Sequence, residues 1–266
     1  PFNPTGYMPT REEAFRMRDI LVAAADSRRS PLVVVLDDAY EGFVMSEEAL
    51  PCSLFNLLVD AHPNLIPIKV DGISKEFLWW GGRVAFLTMG LHSQHLSSAA
   101  VSPTTVAKRR DELSALFEYK AGAVIRSTIS NTNRPVQEAL LRVMQSRERL
   151  DGALAERAAF IEILARRINL FKQLLSTLDS RLIQPDPFNA GFFLFLNLAP
   201  ELSAQEFARI MLDSYKVGVV PFEDSARGIN GLRITFASIP SAHIERVVQA
   251  IAMTLKNLEI QHKTNK

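Results

Sequence analysis

Residues 31–40, PLVVVLDDAY, contain an apolar run that ends in two aspartates. Three consecutive valines favour an extended chain, because β-branched side chains pack well on a pleated surface. A short apolar run of this kind predicts a buried strand. Because open α/β sheets bind ligands outside the carboxyl ends of their strands, Asp37 and Asp38 predict one wall of a binding crevice.

Similar apolar runs follow along the chain and alternate with helical patterns. Residues 66–70 and 83–88 predict two further strands, and helices are predicted from Pro103 to about Tyr119 and from Pro135 to about Val143. Strands that alternate with helices are typical of an α/β fold with parallel strands.

One helical pattern is much longer than the others and runs from Leu150 to Leu178, with apolar residues at steps of three and four. Such a stripe predicts a single helix of many turns that can connect two domains. We therefore expect one domain over residues 1–160 and a smaller α+β domain over residues 161–266. The smaller domain is predicted to contain strands at residues 192–196, 217–220 and 232–236, a helix at 204–215 and a closing helix after Pro240.

Composition excludes several classes of function. The net charge of +1, from 30 basic and 29 acidic residues, gives no support for a nucleic-acid or membrane-surface partner. A single cysteine, Cys52, rules out an intramolecular disulfide and agrees with a reducing cytoplasm, which is the predicted location. His92 and His95 alone do not make a metal site, so no metal is expected.

Three short motifs carry candidate chemistry. Asp37 ends the first predicted strand, Ser74-Lys75 follows the second with Arg83 eight residues after the lysine, and Arg233 lies in the smaller domain. Each has an ordinary alternative: a surface lysine for Lys75, a turn cap for Asp37 and ion-pair partners for the two arginines. Their joint order is much less expected by chance.

Two more motifs complete the pattern: Asn3-Pro4-Thr5-Gly6 near the start, and Arg126 four residues before Ser130-Asn131. Together, the five motifs closely resemble the class I/II aminotransferases of fold type I, the aspartate aminotransferase-like enzymes that use pyridoxal 5′-phosphate. The resemblance covers essentially the whole chain. It implies the C-terminal part of a three-layer α/β/α large domain, followed by a small α+β domain.

The resemblance implies cofactor-binding roles for four of these residues. Lys75 would form the internal aldimine and then move a proton between the substrate and the cofactor, which requires a lowered lysine pKa. Asp37 would pair with the protonated pyridine nitrogen, so that the ring can accept electrons. Tyr40 and Asn3 would hydrogen-bond the phenolic oxygen of the cofactor.

Anion recognition is implied for four others. Arg83 would bind the cofactor phosphate with help from Ser74, and Arg233 would hold the substrate α-carboxylate through its planar fork. Arg126 has two open interpretations: it either binds the distal carboxylate of a dicarboxylic substrate or only supports the local structure.

The chain departs from the family pattern at two positions. Gly72 stands where the family often has a phosphate-contacting serine, three residues before the lysine. Phe222 replaces the glycine that usually follows the Val-x-x-Pro motif, which alters a loop on the substrate side.

The resulting hypothesis is an enzyme of amino-acid metabolism that moves an amino group between an L-amino acid and a 2-oxo acid. Two alternatives stay open: another fold-type-I reaction such as β-elimination, or a non-catalytic domain of a regulator that senses the cofactor or an amino acid. The resemblance also implies a homodimer at full length and a chain truncated before Asn3. We therefore expect the chain as given to bind the cofactor weakly and to be inactive by itself.

Overall fold

In the computed structural model, which describes residues 1–96 and 102–264, the valine-rich run forms strand β1 (Leu32–Asp37). It pairs in parallel with β2 (Leu65–Gly72), with Asp37 opposite Val70. Strand β3 (Ala85–Met89) pairs with β2 in the antiparallel direction, so the sheet has the order β1-β2-β3. The α/β class is confirmed, although only one of these two strand pairs is parallel.

The prediction that β1 is buried was correct for one face only. Leu32, Val34 and Leu36 pack against a small core formed by Ala25, Leu58 and Leu65. Val33 and Val35 point to the other face and are 51% and 62% exposed. Successive side chains of a strand point to opposite faces, so the apolar run alone could not show that one face is open.

Seven helices accompany this sheet within the described residues: α1 (Arg11–Asp26), α2 (Phe55–Leu58), α3 (Ile73–Glu76), α4 (Ser93–Leu96), α5 (Pro103–Thr128), α6 (Arg134–Met144) and α7 (Arg147–Leu175). Helix α1 begins with a capping box, in which the Thr10 side chain accepts from the Glu13 backbone while the Glu13 side chain accepts from the Thr10 backbone.

A second sheet lies in the C-terminal part of the chain. Its strands β4 (Ile183–Pro185), β5 (Phe193–Leu198), β6 (Val220–Asp224) and β7 (Ile229–Thr235) are all antiparallel and have the order β4-β5-β7-β6. Helices α8 (Ala204–Tyr215) and α9 (Ile244–Thr264) belong to the same part of the chain. The strand predicted at 217–220 lies later in the sequence, because residues 216–219 form the connection that follows α8.

The chain divides into two compact units, each described by itself below. The first unit comprises residues 9–42 and 50–157, and the second comprises residues 1–8 and 43–49 and the chain from Ala158 onward. Helix α7 contributes residues to both units, and its predicted apolar stripe is buried at Leu164, Ile168, Phe171 and Leu175. The two domains proposed from the sequence, 1–160 and 161–266, stay a prediction. None of the described helices is both long enough and apolar enough to cross a bilayer.

The core of the second unit contains three aromatic rings in edge-to-face contact. Phe43 is fully buried, and its ring centroid lies 4.8 Å from that of Phe192 and 6.4 Å from that of Phe160. Such pairs add to the free energy of burial because the ring edge and the ring face carry opposite partial charges.

We expect Phe43→Ala to lower the free energy of unfolding by about 3–5 kcal/mol, because it leaves a cavity among these rings. Urea denaturation followed by circular dichroism measures the change. Leu212→Ala, at a residue of the same unit that is 53% exposed, is the control and should change the value by less than about 0.5 kcal/mol. Equal effects of the two substitutions would show that the aromatic cluster contributes little.

Candidate functional site

A cleft of about 280 Å³ lies in the first unit, at the carboxyl ends of β1 and β2. Because these strands are parallel, their carboxyl ends meet at the same edge of the sheet. The backbone N–H of Asp38 donates to the Val70 carbonyl at 2.8 Å and continues the pairing one residue past β1. Four of the predicted site residues line the cleft: Asp37, Ser74, Lys75 and Arg83.

Lys75 lies in α3, the single helical turn that follows β2 directly. Its side chain is half-buried, and burial lowers the pKa of the Lys75 ammonium, with a further lowering from the nearby Arg83 charge. The Lys75 Nζ atom is 5.5 Å from the centroid of the Tyr40 ring. Lys75 is therefore a lysine with an increased fraction of neutral, nucleophilic amine.

Arg83 returns to the cleft because the intervening chain turns sharply. Leu78 and Arg83 both have positive φ angles, of 53° and 52°, which non-glycine residues seldom adopt. The Arg83 Nη1 atom donates to the Ser74 Oγ atom at 3.1 Å and to the Trp80 carbonyl at 3.2 Å. Within residues 1–96 and 102–264, neither Arg83 nor Lys75 forms an ion pair with a carboxylate, so the cleft offers two uncompensated cations.

Asp37 is exposed at the end of β1. Its Oδ1 atom accepts a hydrogen bond from the Ala39 backbone N–H at 3.2 Å, which is the turn-capping role that the sequence left open. Asp37 also lines the cleft, so its carboxylate stands at the same edge as the Lys75 amine.

The sequence analysis did not identify a second lysine, Lys69, which lies on β2. Lys69 forms ion pairs with Glu41 and Asp71. Burial alone would lower the pKa of Lys69, but hydrogen bonds to Asp71 and Glu41 outweigh burial and raise this pKa above the usual range of lysine. The spacing of Lys69 and Asp71 places them on one face of the strand, which was the available signal.

In the second unit, Arg233 on β7 is held on several sides. Its Nη1 atom donates to the Asn3 Oδ1 atom at 3.2 Å, and its Cζ atom lies 4.7 Å from the Phe193 ring centroid and 5.8 Å from that of Phe222. Across the described part of the chain, Arg233 has no carboxylate in ion-pair contact. A guanidinium flanked by aromatic faces keeps its edge available for an anion in its plane.

Gly231 allows this aromatic arrangement. A Cβ atom at this position would lie 2.5 Å from the Leu196 carbonyl oxygen and 2.6 Å from ring atoms of Phe195. The Phe195 ring in turn contacts Phe222, with ring centroids 5.8 Å apart. The missing side chain of Gly231 thus lets Phe195 pack beneath the ring that flanks Arg233.

Arg126 lies in the last turn of α5 and contacts the residues that follow the helix. Its Nη1 atom donates to the Ser130 Oγ atom at 2.9 Å and lies 3.4 Å from both the Ser130 carbonyl oxygen and the Asn131 Oδ1 atom. Ser130 has a φ angle of 71°. These contacts agree with the supporting interpretation of Arg126.

The predicted residues therefore fall into three groups. The cleft brings Asp37, Ser74, Lys75 and Arg83 together, with Tyr40 beside the lysine; Asn3 and Arg233 are bonded to each other in the second unit; and Arg126 is at the end of α5. His92 and His95 have ring centroids 6.4 Å apart. Among the residues that the structure describes, no three or more histidine, cysteine, aspartate or glutamate side chains are arranged to hold a metal ion.

We expect Arg83→Gln to raise the pKa of Lys75, because it removes the positive charge that helps to lower it. At pH 8 the Lys75 amine should then react roughly threefold more slowly with a small acylating reagent, as quantified by peptide mass spectrometry. Arg142→Gln, which removes an exposed partner of Glu138 in the same unit, is the control. A faster reaction of Lys75 in the Arg83 variant would contradict the assigned cause.

Gly231→Ala should destabilise the second unit by about 1–3 kcal/mol, because the new methyl group overlaps the Leu196 carbonyl and the Phe195 ring. Urea denaturation is the measurement. Gly218→Ala is the matched control, since a Cβ atom there has no neighbour within 4 Å. If both variants unfold at the same urea concentration, the packing of Phe195 against Gly231 does not constrain the sheet.

Several solved structures of similar fold are aminotransferases. The chain resembles an aromatic aminotransferase from Pyrococcus horikoshii (21% identity, TM-score 0.64, 97% of this chain and 59% of that one). It also resembles an aminotransferase from Anaerococcus prevotii (20% identity, TM-score 0.72, 94% of this chain and 54% of that one). A third similar structure is an α-aminoadipate aminotransferase from Thermus thermophilus, complexed with N-(5′-phosphopyridoxyl)-L-leucine. The identity is 24% and the TM-score 0.65, over 97% of this chain and 57% of that one. The chain thus spans somewhat more than half the length of these structures.

A comparison with curated proteins found no match to the chain. The family model for aminotransferase class I and II, whose members depend on pyridoxal 5′-phosphate, matches residues 1–251. This match covers nearly the whole chain and agrees with the α/β fold and with the lysine cleft at the strand ends. The chain therefore belongs to the class I and II aminotransferases.

Proposed function

We propose that this protein transfers an amino group between an L-amino acid and a 2-oxo acid, with Lys75 as the residue that moves the proton. The observation that carries the proposal is the cleft in which a half-buried lysine of lowered pKa stands beside Arg83, Ser74 and Asp37. Perturbed lysines in clefts are candidates for catalytic groups because burial and neighbouring charge favour the neutral amine.

The cleft residues fit pyridoxal 5′-phosphate. The cofactor requires an amine, an anion-binding group and a carboxylate, and the cleft contains Lys75, the Arg83 guanidinium with the Ser74 hydroxyl, and Asp37. Arg83 has no carboxylate partner in the described part of the chain, so a phosphate would supply the negative charge that pairs with its guanidinium. When bound, the cofactor supplies an electron sink that stabilises negative charge at the substrate α-carbon.

Two residues would control protons in the cleft. Lys75 Nζ, whose lowered pKa favours the neutral amine, would accept a proton from the substrate α-carbon and return it. Asp37, as a carboxylate at the cleft edge, would keep a proton on the pyridine nitrogen. Tyr40, whose ring lies beside Lys75, is proposed to donate a hydrogen bond to the phenolic oxygen of the cofactor. The same role for Asn3 rests on the family resemblance alone.

Substrate recognition is proposed for Arg233. Its guanidinium is held by Asn3, Phe193 and Phe222, so its planar fork is oriented before a carboxylate arrives. Arg126 is proposed to have the supporting role, because its guanidinium already bonds Ser130. We also propose a cytoplasmic location and, at full length, a homodimer; both rest on the family resemblance and the location also on the single Cys52.

The test is to reduce the protein with borohydride in the presence of excess pyridoxal 5′-phosphate and to map the labelled peptide. The label should fall on Lys75 rather than Lys69, since Lys69 is kept protonated by two carboxylates. Lys75→Ala should lose the label, whereas label spread evenly over the lysines would contradict the proposal.

Amino-donor profiling of the full-length protein, with Lys75→Ala as the control, then tests the reaction. Conversion of bound pyridoxal phosphate to pyridoxamine phosphate by an L-amino acid supports transfer. Formation of pyruvate and ammonia from a β-substituted amino acid, without pyridoxamine phosphate, would refute it.

A further inference from the structure

Two site residues of the first unit share an unexpected feature: each is followed directly by a glutamate. Glu41 follows Tyr40, and Glu76 follows Lys75. Both glutamates are partly buried and form ion pairs with cations from elsewhere in the unit. We name these groups the charge cluster, which comprises Glu41, Lys69, Asp71, Glu76 and Arg157.

Lys69 links the loop after β1 to β2. Its Nζ atom forms ion pairs with Glu41 and, at 2.5 Å, with the Asp71 Oδ2 atom. The three side chains are only 17%, 24% and 11% exposed, in the order Lys69, Glu41, Asp71. The Asp71 Oδ1 atom is buried and accepts no hydrogen bond within the described residues, so Lys69 supplies the main compensation for this carboxylate.

Arg157 links the same loop to the turn that carries Lys75. Its Nη1 atom lies 3.5 Å from the Glu76 Oε1 atom. Its guanidinium also packs against Gly42, where a Cβ atom would lie 3.2 Å from the Arg157 Cζ atom. Gly42 has a φ angle of 84°, which glycine adopts more readily than other residues, and a larger side chain would have no space beside Arg157.

Lys69 and Arg157 thus connect the segments that carry Tyr40 and Lys75. Lys69 and Arg157 both touch residues 41–42, directly after Tyr40, and Arg157 also holds the residue directly after Lys75. Burial raises the pKa of Glu76, and the Arg157 charge works against this rise. Without its arginine partner, Glu76 would be a partly buried carboxylate with Asp71 and Glu41 as like-charged neighbours.

We propose that the charge cluster positions the reactive groups of the cleft, with Glu76 as the positioning residue for Lys75 and Glu41 as that for Tyr40. The inference rests on the proposed function in that it concerns the same lysine. By tying α3 to α7, whose Arg157 also packs against Gly42, the Glu76–Arg157 pair keeps Lys75 Nζ half-buried and close to Arg83. The low pKa of Lys75 is then a consequence of where Glu76 anchors the turn.

The sign of the effect of Glu76→Gln on Lys75 separates positioning from simple electrostatics. Removing a neighbouring negative charge would lower the pKa of Lys75 and speed its reaction with an electrophile. Releasing the turn would expose Lys75 and move it from Arg83, which raises the pKa and slows the reaction. The readout is the pH profile of Lys75 acylation in the protein without cofactor, by peptide mass spectrometry.

We expect Glu76→Gln to slow Lys75 acylation at pH 8 roughly threefold and to shift its pH profile upward. Glu156→Gln, an exposed neighbour of Arg157 on the same helix, should leave the profile unchanged. Arg157→Lys keeps the net charge and removes only the planar contact, so it should shift the profile in the same direction even if Glu76→Gln fails to fold. If the pH profile of Lys75 acylation stays unchanged or moves to lower pH in both Glu76→Gln and Arg157→Lys, the proposal is wrong.

This experiment uses neither cofactor nor turnover, so its failure differs from failure of the proposed function. If borohydride trapping misses Lys75 while Glu76→Gln still shifts the acylation profile upward, the transfer function is wrong and the positioning stands. If trapping succeeds and the profile does not move, the function stands and the positioning is wrong.

Discussion

The parallel pairing of β1 with β2 is the constraint on which the site depends. It places Asp37 and Gly72 at the same edge of the sheet, and the hydrogen bond from Asp38 to Val70 extends the pairing into the loop that carries Tyr40. The turn that bears Lys75 follows β2 without a linker, so the lysine has little freedom to leave this edge. A shift in register would separate the carboxylate from the amine.

Around this edge, the described part of the first unit contains strained backbone conformations and unpaired charges, both of which are energetically unfavourable. Leu78 and Arg83 adopt left-handed backbone conformations, and two cations share one cleft without a carboxylate partner in the residues described. Strained residues and unpaired charges that coincide in a cleft are typical of ligand sites, where the ligand supplies the missing partner. The second unit shows the same principle, because Arg233 is oriented by aromatic rings and an amide.

Much of this could be predicted from sequence because it depends on local order along the chain. The strand before Asp37, the lysine after β2 and the apolar stripe of α7 all follow from periodicity and residue type. The ion pairs Lys69–Glu41 and Arg157–Glu76 could not, since these side chains meet only after the strand, loop and helices are placed in space. The exposure of Val33 and Val35 was missed for a related reason: an apolar run does not say how many faces are covered.

The fold shifts the pKa values of two lysines in one strand–turn segment in opposite directions. The most direct measurement is an NMR titration of the Lys69 and Lys75 side chains in the protein without cofactor, using isotope-labelled lysine and Lys→Arg variants for assignment. We expect a pKa below that of an ordinary lysine for Lys75 and above it for Lys69. Two ordinary values, or the reverse order, would contradict it.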